Sequence, residues 1–274
     1  MLHYVTGKGG VGKSTIAAAI AIAAASRGAR VLGIELGPRG GLARALAARP
    51  EITVMQIDGA AAVGEYLTRR MHLGRFVRPI LEHPLYAAFV EAAPGLRELV
   101  AIGKVRDEYV LQRRWDVVVV DAGASGHALE HLRMPSAAEL AFRSGLVHRE
   151  AARNAELLRD PSRCAIHVVA MPEEMPLAEA AQTVETLRGL ELAIGRVIVN
   201  RCVPPPPRGI EVPAGDAVLA AVLGRALDRA RAQESAIATF QQRLGLPVLR
   251  APWLPIMELS RHARLLAASI AELA

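Results

Sequence analysis

A glycine-rich stretch near the start of the chain carries the residue types best suited to chemistry. Residues 7–15 read GKGGVGKST, which satisfies the phosphate-binding pattern G-x-x-x-x-G-K-[ST]. Glycines are needed there because backbone N–H groups must close on phosphate oxygens without a Cβ in the way. Lys13 is expected to reach the β- and γ-phosphates of a nucleotide, and the Ser14 hydroxyl is expected to ligate Mg²⁺. The stretch therefore predicts binding of a nucleoside triphosphate with Mg²⁺.

The flanking residues place this phosphate-binding loop, or P-loop, on a strand-to-helix turn. Residues 2–6 have the pattern of a short buried strand, and residues 14–25 form an alanine- and isoleucine-rich helical run. The N-terminus of that helix adds partial positive charge where the phosphates would lie. The residues expected to surround the phosphates are Gly9, Gly10, Val11, Gly12, Lys13, Ser14 and Thr15.

Asp121 ends the strongest strand pattern in the chain. Residues 115–121 read WDVVVVD, which is apolar on both faces of a strand and ends in a carboxylate. Such a run is typical of a strand in the middle of a parallel sheet, where it is covered on both sides. We therefore expect Asp121 to hold Mg²⁺ through a water molecule, beside Ser14.

Strand and helix patterns alternate along the rest of the chain. Further strand patterns cover residues 31–36, 52–58, 164–170, 197–199 and 247–252, with helical patterns between them. This order predicts an α/β fold with a doubly wound, mostly parallel sheet and a small helical subdomain. We expect a single domain over residues 1–274, with a helical insertion at about residues 60–112 and a shorter helical segment at 136–160.

A second lysine indicates which class of P-loop protein the motif resembles. Lys8 directly follows the first glycine of the motif, and the resulting pattern G-K-G-G-x-G-K-S-T resembles that of the deviant Walker-A ATPases. That group includes chromosome-partitioning ATPases, division-site-positioning ATPases, the nitrogenase iron protein and the arsenite-pump and tail-anchored-protein-targeting ATPases. Its additional lysine reaches the nucleotide of the partner subunit. The resemblance therefore implies a P-loop NTPase of the SIMIBI type that forms a homodimer, or a heterodimer with a paralogue, around ATP.

Residues 121–135 identify the branch of this group. They read DAGASGHALEHLRMP and resemble the switch-II signature D-T-A-P-T-G-H-T-L-x-x-L-x-x-P of the arsenite-pump and targeting ATPases. The resemblance implies ATP hydrolysis that drives binding or release of a hydrophobic protein client. His127 of the signature is either a switch residue or an ordinary core or capping histidine. The apolar stripes within residues 60–112 are either core-facing helix surface or part of a client groove.

The first switch loop departs from the family pattern. The branch carries D-P-A-H-x-L after the second strand, whereas residues 37–42 read GPRGGL, so that Gly37 replaces the aspartate that positions the attacking water. Glu35, two residues earlier, is the carboxylate that could act instead, although a carboxylate at a strand end also commonly faces loop dipoles. The substitution predicts slow hydrolysis.

Two late elements resemble the adenine pocket of the family. Residues 197–201 read VIVNR and match the V-N-[RQ] element, in which the asparagine side chain reads the base. Asn200 and Arg201 are thus expected at the adenine, together with Pro252, which ends the last strand pattern. The alternative for Asn200 is an asparagine that simply caps a strand. Residues 172–177 resemble the P-E-x-x-x-L element near the dimer interface.

Composition restricts the other classes of function. The net charge is +6 with a pI of about 9.9, but the arginines are spread along the chain and aromatic residues make up only 4%, which argues against a nucleic-acid surface. Cys164 and Cys202 lie far apart without C-x-x-C spacing, so we expect neither zinc nor an arsenite site. The sequence shows neither a membrane-spanning run nor a signal-peptide pattern, and we expect a cytoplasmic location.

Two other functions fit part of the sequence. A non-hydrolysing, nucleotide-gated interaction subunit paired with a catalytic paralogue fits the loss of the aspartate at Gly37. A partitioning-type ATPase that acts on nucleic acid or membrane fits the positive charge but not the switch-II signature.

Overall fold

Seven strands form the centre of the molecule in a computed structural model that describes residues 1–37, 40–58, 95–123, 125–204 and 217–273. The strands are β1 (Leu2–Gly7), β2 (Val31–Leu36), β3 (Thr53–Ile57), β4 (Val117–Asp121), β5 (Cys164–Ala170), β6 (Ile194–Cys202) and β7 (Val248–Pro252). They pair in one sheet in the order β3-β2-β4-β1-β5-β6-β7, and every pairing is parallel. The predicted α/β fold is thereby confirmed.

Helices connect these strands, as parallel pairing requires. They are α1 (Lys13–Ser26), α2 (Gly41–Ala45), α3 (Leu96–Arg106), α4 (Ser125–Ala141), α5 (Gly145–Arg159), α6 (Glu174–Gly189), α7 (Ala217–Leu244) and α8 (Leu259–Ser269). A single π-helical turn, Asp107–Leu111, continues α3, and a 3₁₀ turn, Ala271–Leu273, follows α8.

Apolar side chains cover both faces of the sheet. One core contains residues of β1, β4 and β5 together with α3, α4, α5, α6 and α7, and the other packs α1 and α8 against the opposite face. Helix α1 is buried almost all round because it lies between the sheet and α8. Its alanines allow this close approach, and a helix that is apolar on every side is expected in such a buried place.

The strand order fixes where a ligand can bind. The chain leaves β1 through α1 and enters β2 on one side of the sheet, whereas β5 pairs with β1 on the other side. In an open parallel sheet, ligands bind beyond the carboxyl ends of the strands, at the place where the connections diverge. The carboxyl end of β1, which carries the P-loop, lies at that place.

Some predicted element bounds need correction. Helix α4 begins at Ser125, well before the predicted segment at 136–160, and it runs through Pro135. A proline removes one helical hydrogen bond, but Met134 and Ala138 on either side of it pack against Leu99 and Ala151. This tertiary packing keeps α4 continuous.

The helical insertion is only partly described. Its last part is helical in α3 and the π-helical turn, whereas residues 59–94 lie outside the described residues. The proline-rich residues 205–216 and the side chain of His127 also lie outside them. That residues 1–274 form a single domain stays a prediction.

Candidate nucleotide-binding site

A cavity of about 260 Å³ opens at the carboxyl ends of β1, β2 and β4. The P-loop, the end of β2 and the end of β4 each contribute to it. Its lining residues are Gly10, Gly12, Lys13, Ser14, Thr15, Glu35, Leu36, Gly41, Arg44, Asp121, Ala122, Gly123 and Leu259. Six of the residues predicted for phosphate and Mg²⁺ binding are in this set, so the structure brings them together.

The P-loop wraps around the start of α1. Gly12 has a φ of 96° and directly precedes the helix, and its carbonyl accepts a hydrogen bond from the Ile16 N–H at 3.0 Å. The Lys13 side chain is buried within the loop, where Nζ donates to the Lys8 carbonyl at 2.9 Å. A helix N-terminus beneath a glycine-rich loop offers several N–H donors and a buried cation to an anion.

Two buried carboxylates face this cationic side of the cavity. Glu35 on β2 and Asp121 on β4 are register partners on adjacent strands, and they are only 4% and 5% exposed. Burial, together with the nearby Glu35, raises the pKa of Asp121 to about 6, although a hydrogen bond with Ser14 and the charge of Lys13 oppose the shift. A cation beside Asp121 would therefore be favourable.

The donor set at this place fits Mg²⁺. It consists of the Asp121 carboxylate, the Ser14 hydroxyl and the nearby Glu35 carboxylate, all of which offer hard oxygen atoms. Within the described part of the chain, no group of three or more His, Cys, Asp or Glu side chains could hold a metal ion. Mg²⁺ suits such a sparse site because it is commonly bound by one or two carboxylates together with substrate phosphates.

The loop after β2 packs directly on Ser14. A Cβ on Gly41 would lie 2.7 Å from Ser14 Oγ, so only glycine fits there, and the Gly41 N–H donates to Glu35 Oε1 at 2.6 Å. Within the cavity wall, Glu35 is a residue predicted from the sequence, whereas Gly41, Arg44 and Leu259 are not. The paired glycines at 40 and 41 were the available signal for Gly41, whereas no sequence signal identifies Leu259 of α8.

Gly37 occupies the position at which the family pattern has aspartate. Its φ is 104°, its N–H donates to the Ile57 carbonyl at 3.3 Å, and its carbonyl accepts from Gln56 Nε2 at 2.8 Å. This backbone conformation favours glycine over a residue with a side chain. Pro38 and Arg39 of the same loop lie outside the described residues.

Lys8 does not face the cavity of its own chain. Its Nζ forms an ion pair with Glu179 of α6, and both side chains are well exposed, at 46% and 38%. An exposed pair of this kind stabilises a protein by about 0–1 kcal/mol. Lys8 and Lys13, five residues apart on one loop, therefore have different surroundings.

The residues predicted for adenine lie where β6 and β7 end, next to the P-loop. Asn200 is buried beneath that loop, and its Nδ2 donates to the Val11 carbonyl at 2.8 Å. The Arg201 side chain is exposed and its guanidinium contacts Met171 Sδ at 3.7 Å, while Pro252 pairs with Cys202 at the end of β7. The adenine role of these residues stays a prediction.

Two further findings concern the chemistry that the chain carries. Cys164 and Cys202 are free and buried, and burial raises the pKa of their thiols to about 12 and about 11. In the residues that the structure describes, no helix is long and apolar enough to cross a membrane.

Comparison with known proteins adds to this geometry. The model of a protein family described as anion-transporting ATPase matches residues 2–154 and 146–210. The ATPase BagA of Mycobacterium tuberculosis is 34% identical over 223 residues, which cover 74% of this chain. The arsenical pump-driving ATPase of Escherichia coli is 27% identical over 232 residues, which cover 73% of this chain.

These relatives are longer than the regions that match. The matched region makes up 65% of BagA and 39% of the Escherichia coli protein. The first matched region, residues 2–154, includes the P-loop and residues 37–42 and 121–135.

Proposed function

Because this chain belongs to the anion-transporting ATPase family, we propose that it binds ATP with Mg²⁺ at the P-loop and hydrolyses ATP to ADP and phosphate. The observation that carries the proposal is the convergence of Lys13, Ser14, Glu35 and Asp121 on one cavity at the carboxyl ends of β1, β2 and β4. Cation, hydroxyl and carboxylates in that arrangement suit a triphosphate with its divalent ion.

Each group has a separate role in this proposal. Lys13 and the N–H groups at the start of α1 bind the phosphates and stabilise the charge that develops on them during transfer. Ser14 and Asp121 hold the metal, with Asp121 acting through water. When bound, Mg²⁺ neutralises phosphate charge and orients the β- and γ-phosphates. A cytoplasmic location suits such an enzyme, because ATP and Mg²⁺ are abundant there.

Hydrolysis is slow in this proposal because no carboxylate stands at position 37. Phosphoryl transfer to water depends mainly on position and electrostatics, and the P-loop, Lys13 and the metal ligands are all retained. A residue that orients the attacking water typically contributes ~10²–10⁴-fold. Glu35 is the carboxylate left to do so, and its burial beside Ser14 and Asp121 supports that role.

A dimer completes the site in this proposal, with Lys8 of each chain directed at the nucleotide of the other. The exposure of Lys8 and its weak pairing with Glu179 support this, because little free energy is lost when the pair separates. Both chains of the dimer are identical, or the second is a paralogue. A non-hydrolysing subunit with a catalytic paralogue is the second candidate, and it is favoured by Gly37 alone.

The nucleotide controls a hydrophobic protein client in this proposal. Four large apolar side chains are exposed where α4 ends and α5 begins, and we call this surface the α4–α5 tip. Its members are Leu140, Phe142, Leu146 and Val147, which are 83%, 49%, 40% and 38% exposed. Helix α4 begins in switch II and ends at the tip, which connects the nucleotide site to this surface.

Arsenite is not part of the proposal, although related proteins are named as arsenical pump-driving ATPases. Trivalent arsenic needs soft thiolate ligands. Both cysteines of this chain are buried, and the raised pKa of each thiol keeps it protonated at neutral pH.

A peptide-binding assay tests the client surface. An apolar helical peptide of about 20 residues should bind the protein with an affinity that differs between ATP and ADP, as measured by fluorescence anisotropy. The double variant Leu140→Glu/Phe142→Glu should bind ATP normally but lose the peptide. Equal peptide binding by the variant would exclude the α4–α5 tip, and no peptide binding by the native protein in either state would exclude an apolar client.

A further inference from the structure

Asn200 makes a contact that the expected recognition of adenine does not explain. It lies on β6, which is separated from β1 by β5 in the sheet. Because β5 ends at Ala170, the buried Asn200 side chain reaches past it to the P-loop. There Nδ2 donates to the Val11 carbonyl at 2.8 Å, while Oδ1 accepts from the Arg201 N–H at 2.9 Å.

The two partners fix the orientation of the side-chain amide. The Val11 carbonyl can only accept a hydrogen bond and the Arg201 N–H can only donate one, so Nδ2 must face Val11 and Oδ1 must face Arg201. The amide therefore connects the end of β6 to the P-loop through one donor and one acceptor.

This contact determines the direction of a phosphate-binding group. The peptide between Val11 and Gly12 is planar and trans, so its N–H points opposite to its carbonyl. With the Val11 carbonyl held towards Asn200, the Gly12 N–H points away from Asn200. Gly12 lines the cavity, so an N–H that points away from Asn200 can face a phosphate bound there.

The packing around Gly12 supports the same conclusion. A Cβ on Gly12 would lie only 2.3 Å from Asn200 Nδ2, so the amide fills the space behind this glycine. Gly12 also has a φ of 96°, which a residue with a side chain rarely adopts. Position 12 thus needs glycine because its backbone conformation disfavours other residues and because Asn200 leaves no space for a Cβ.

We propose that Asn200 is a positioning residue for phosphate binding, because its hydrogen bond to the Val11 carbonyl directs the Gly12 N–H into the P-loop cavity. This inference rests on the proposed binding of ATP at the P-loop. It differs from base recognition because it requires no base: a bare polyphosphate chain should depend on Asn200 as much as ATP does.

Inorganic tripolyphosphate with Mg²⁺ is the probe that separates the two roles. Its affinity is measured by competition against a fluorescent ATP analogue, with ATP itself measured in parallel. Asn200→Asp keeps the shape and the acceptor for Arg201 but places a carboxylate oxygen against the Val11 carbonyl. At about pH 8 this substitution should weaken the binding of tripolyphosphate and the binding of ATP by a similar factor of about 10 or more.

The pH dependence of tripolyphosphate binding provides a second readout, which would not change if Asn200 had a purely structural role. A protonated carboxyl at position 200 can again donate to the Val11 carbonyl, and burial makes such protonation accessible in mild acid. The affinity of Asn200→Asp for tripolyphosphate should therefore approach that of the native protein at about pH 5.5, with both proteins measured at each pH.

Two further variants keep the test decisive. Asn154→Asp is the matched control, because Asn154 is equally buried but lies on α5 away from the P-loop, and its tripolyphosphate affinity should stay unchanged. Asn200→Ser is uncharged and too short to reach Val11, and it should show the same loss as Asn200→Asp if the latter folds poorly.

The possible failures are distinguishable. If the native protein binds no ATP, the proposed function fails. If the native protein binds ATP and both Asn200 variants bind tripolyphosphate as the native protein does, only the positioning role is overturned. A loss confined to ATP, with a changed preference for ATP over GTP, would assign Asn200 to the base alone.

Discussion

Glu35 is the residue on which the rate of hydrolysis depends in this account. It is buried at the end of β2, and its Oε1 accepts the Gly41 N–H at 2.6 Å. Since Asp121 and Ser14 are its neighbours, it lies within the wall of the cavity and not behind it. An aspartate at position 37 would be strained, because the φ of 104° there favours glycine.

The variant Glu35→Gln tests this role with little structural disturbance. Glutamine keeps an oxygen that accepts the Gly41 N–H and removes only the negative charge. We expect ATP·Mg²⁺ to bind within a few-fold of the native affinity, while hydrolysis in a single turnover falls ~10-fold or more below the already slow native rate. An unchanged rate in Glu35→Gln would mean that another group activates the water.

His3 and His167 form a second buried polar pair, away from the cavity. The Arg196 N–H donates to His167 Nδ1 at 3.1 Å, so His167 Nε2 carries the proton and donates to His3 Nδ1 at 3.0 Å. Both rings are therefore neutral. Burial lowers the pKa of His3 to about 4, helped by the positive N-terminus, and burial together with His3 lowers the pKa of His167.

These shifts predict that mild acid destabilises the protein. The pKa of each histidine is lower in the folded state than in the unfolded state, at about 6.5 when unfolded, so the unfolded state binds more protons below that pH. Stability should fall between pH 7 and pH 5, with ~1.4 kcal/mol lost per pH unit and per histidine once the pH is below the unfolded pKa.

Urea unfolding at pH 7 and pH 5 checks this prediction. The double variant His3→Gln/His167→Gln should show a smaller loss of stability in acid than the native protein. The raised pKa of Asp121 acts in the opposite direction, because the folded state there binds the additional proton, but it is common to both proteins. An equal acid dependence in the two proteins would contradict the assignment.

The P-loop places two lysines in different environments although they belong to one short element. Lys13 begins α1 and is buried in the loop, whereas Lys8 points outward to Glu179 on α6. The first position suits the phosphates of the same chain. The second leaves a cation on the surface that the proposed partner would cover.

Paired substitutions of these lysines should separate binding from dimerisation. Lys13→Ala should weaken ATP binding itself, because the cation in the cradle is lost. Lys8→Ala should leave ATP binding by the single chain nearly unchanged but reduce ATP-dependent dimerisation, as measured by light scattering. Glu179→Gln is the control that releases Lys8 without removing it, and it should dimerise at least as well as the native protein. Equal loss of ATP binding in both lysine variants would contradict separate roles.

The elements were predictable from sequence wherever local pattern and packing agree. The apolar runs of β2 and β5 and the position of the P-loop matched their predictions, because strands buried on both faces need continuous apolar runs. The predicted helical segment at 136–160 began too late, because α4 starts at Ser125 and the packing of Met134 and Ala138 keeps it continuous through Pro135.

Contacts between distant elements were harder to predict. The bonds from Asn200 to Val11 and from Lys8 to Glu179 each span more than 170 residues of sequence. They depend on the order of strands in the sheet, which local pattern does not define. The absence of an aspartate at position 37 is evident from the sequence itself. The burial of Glu35 against Gly41 could be recognised only from the folded structure.

In the whole molecule, one sheet connects three regions that the proposed function uses. The cavity lies at the carboxyl ends of the central strands, α4 leads from β4 to the α4–α5 tip, and α6 carries the partner of Lys8. In the proposed function, a change at the phosphates reaches the α4–α5 tip through α4, which follows the cavity residue Gly123 closely in sequence.

The most direct test of the account is a single-turnover measurement with labelled ATP and excess protein in the presence of Mg²⁺. The native protein should retain ATP and convert it to ADP at least ~10²-fold more slowly than a typical enzyme, for which the turnover is about 10 s⁻¹. Lys13→Ala should retain little ATP. Failure of the native protein to retain ATP, or equal retention and hydrolysis by Lys13→Ala, would contradict the central claim that this P-loop is the site of a slow ATPase.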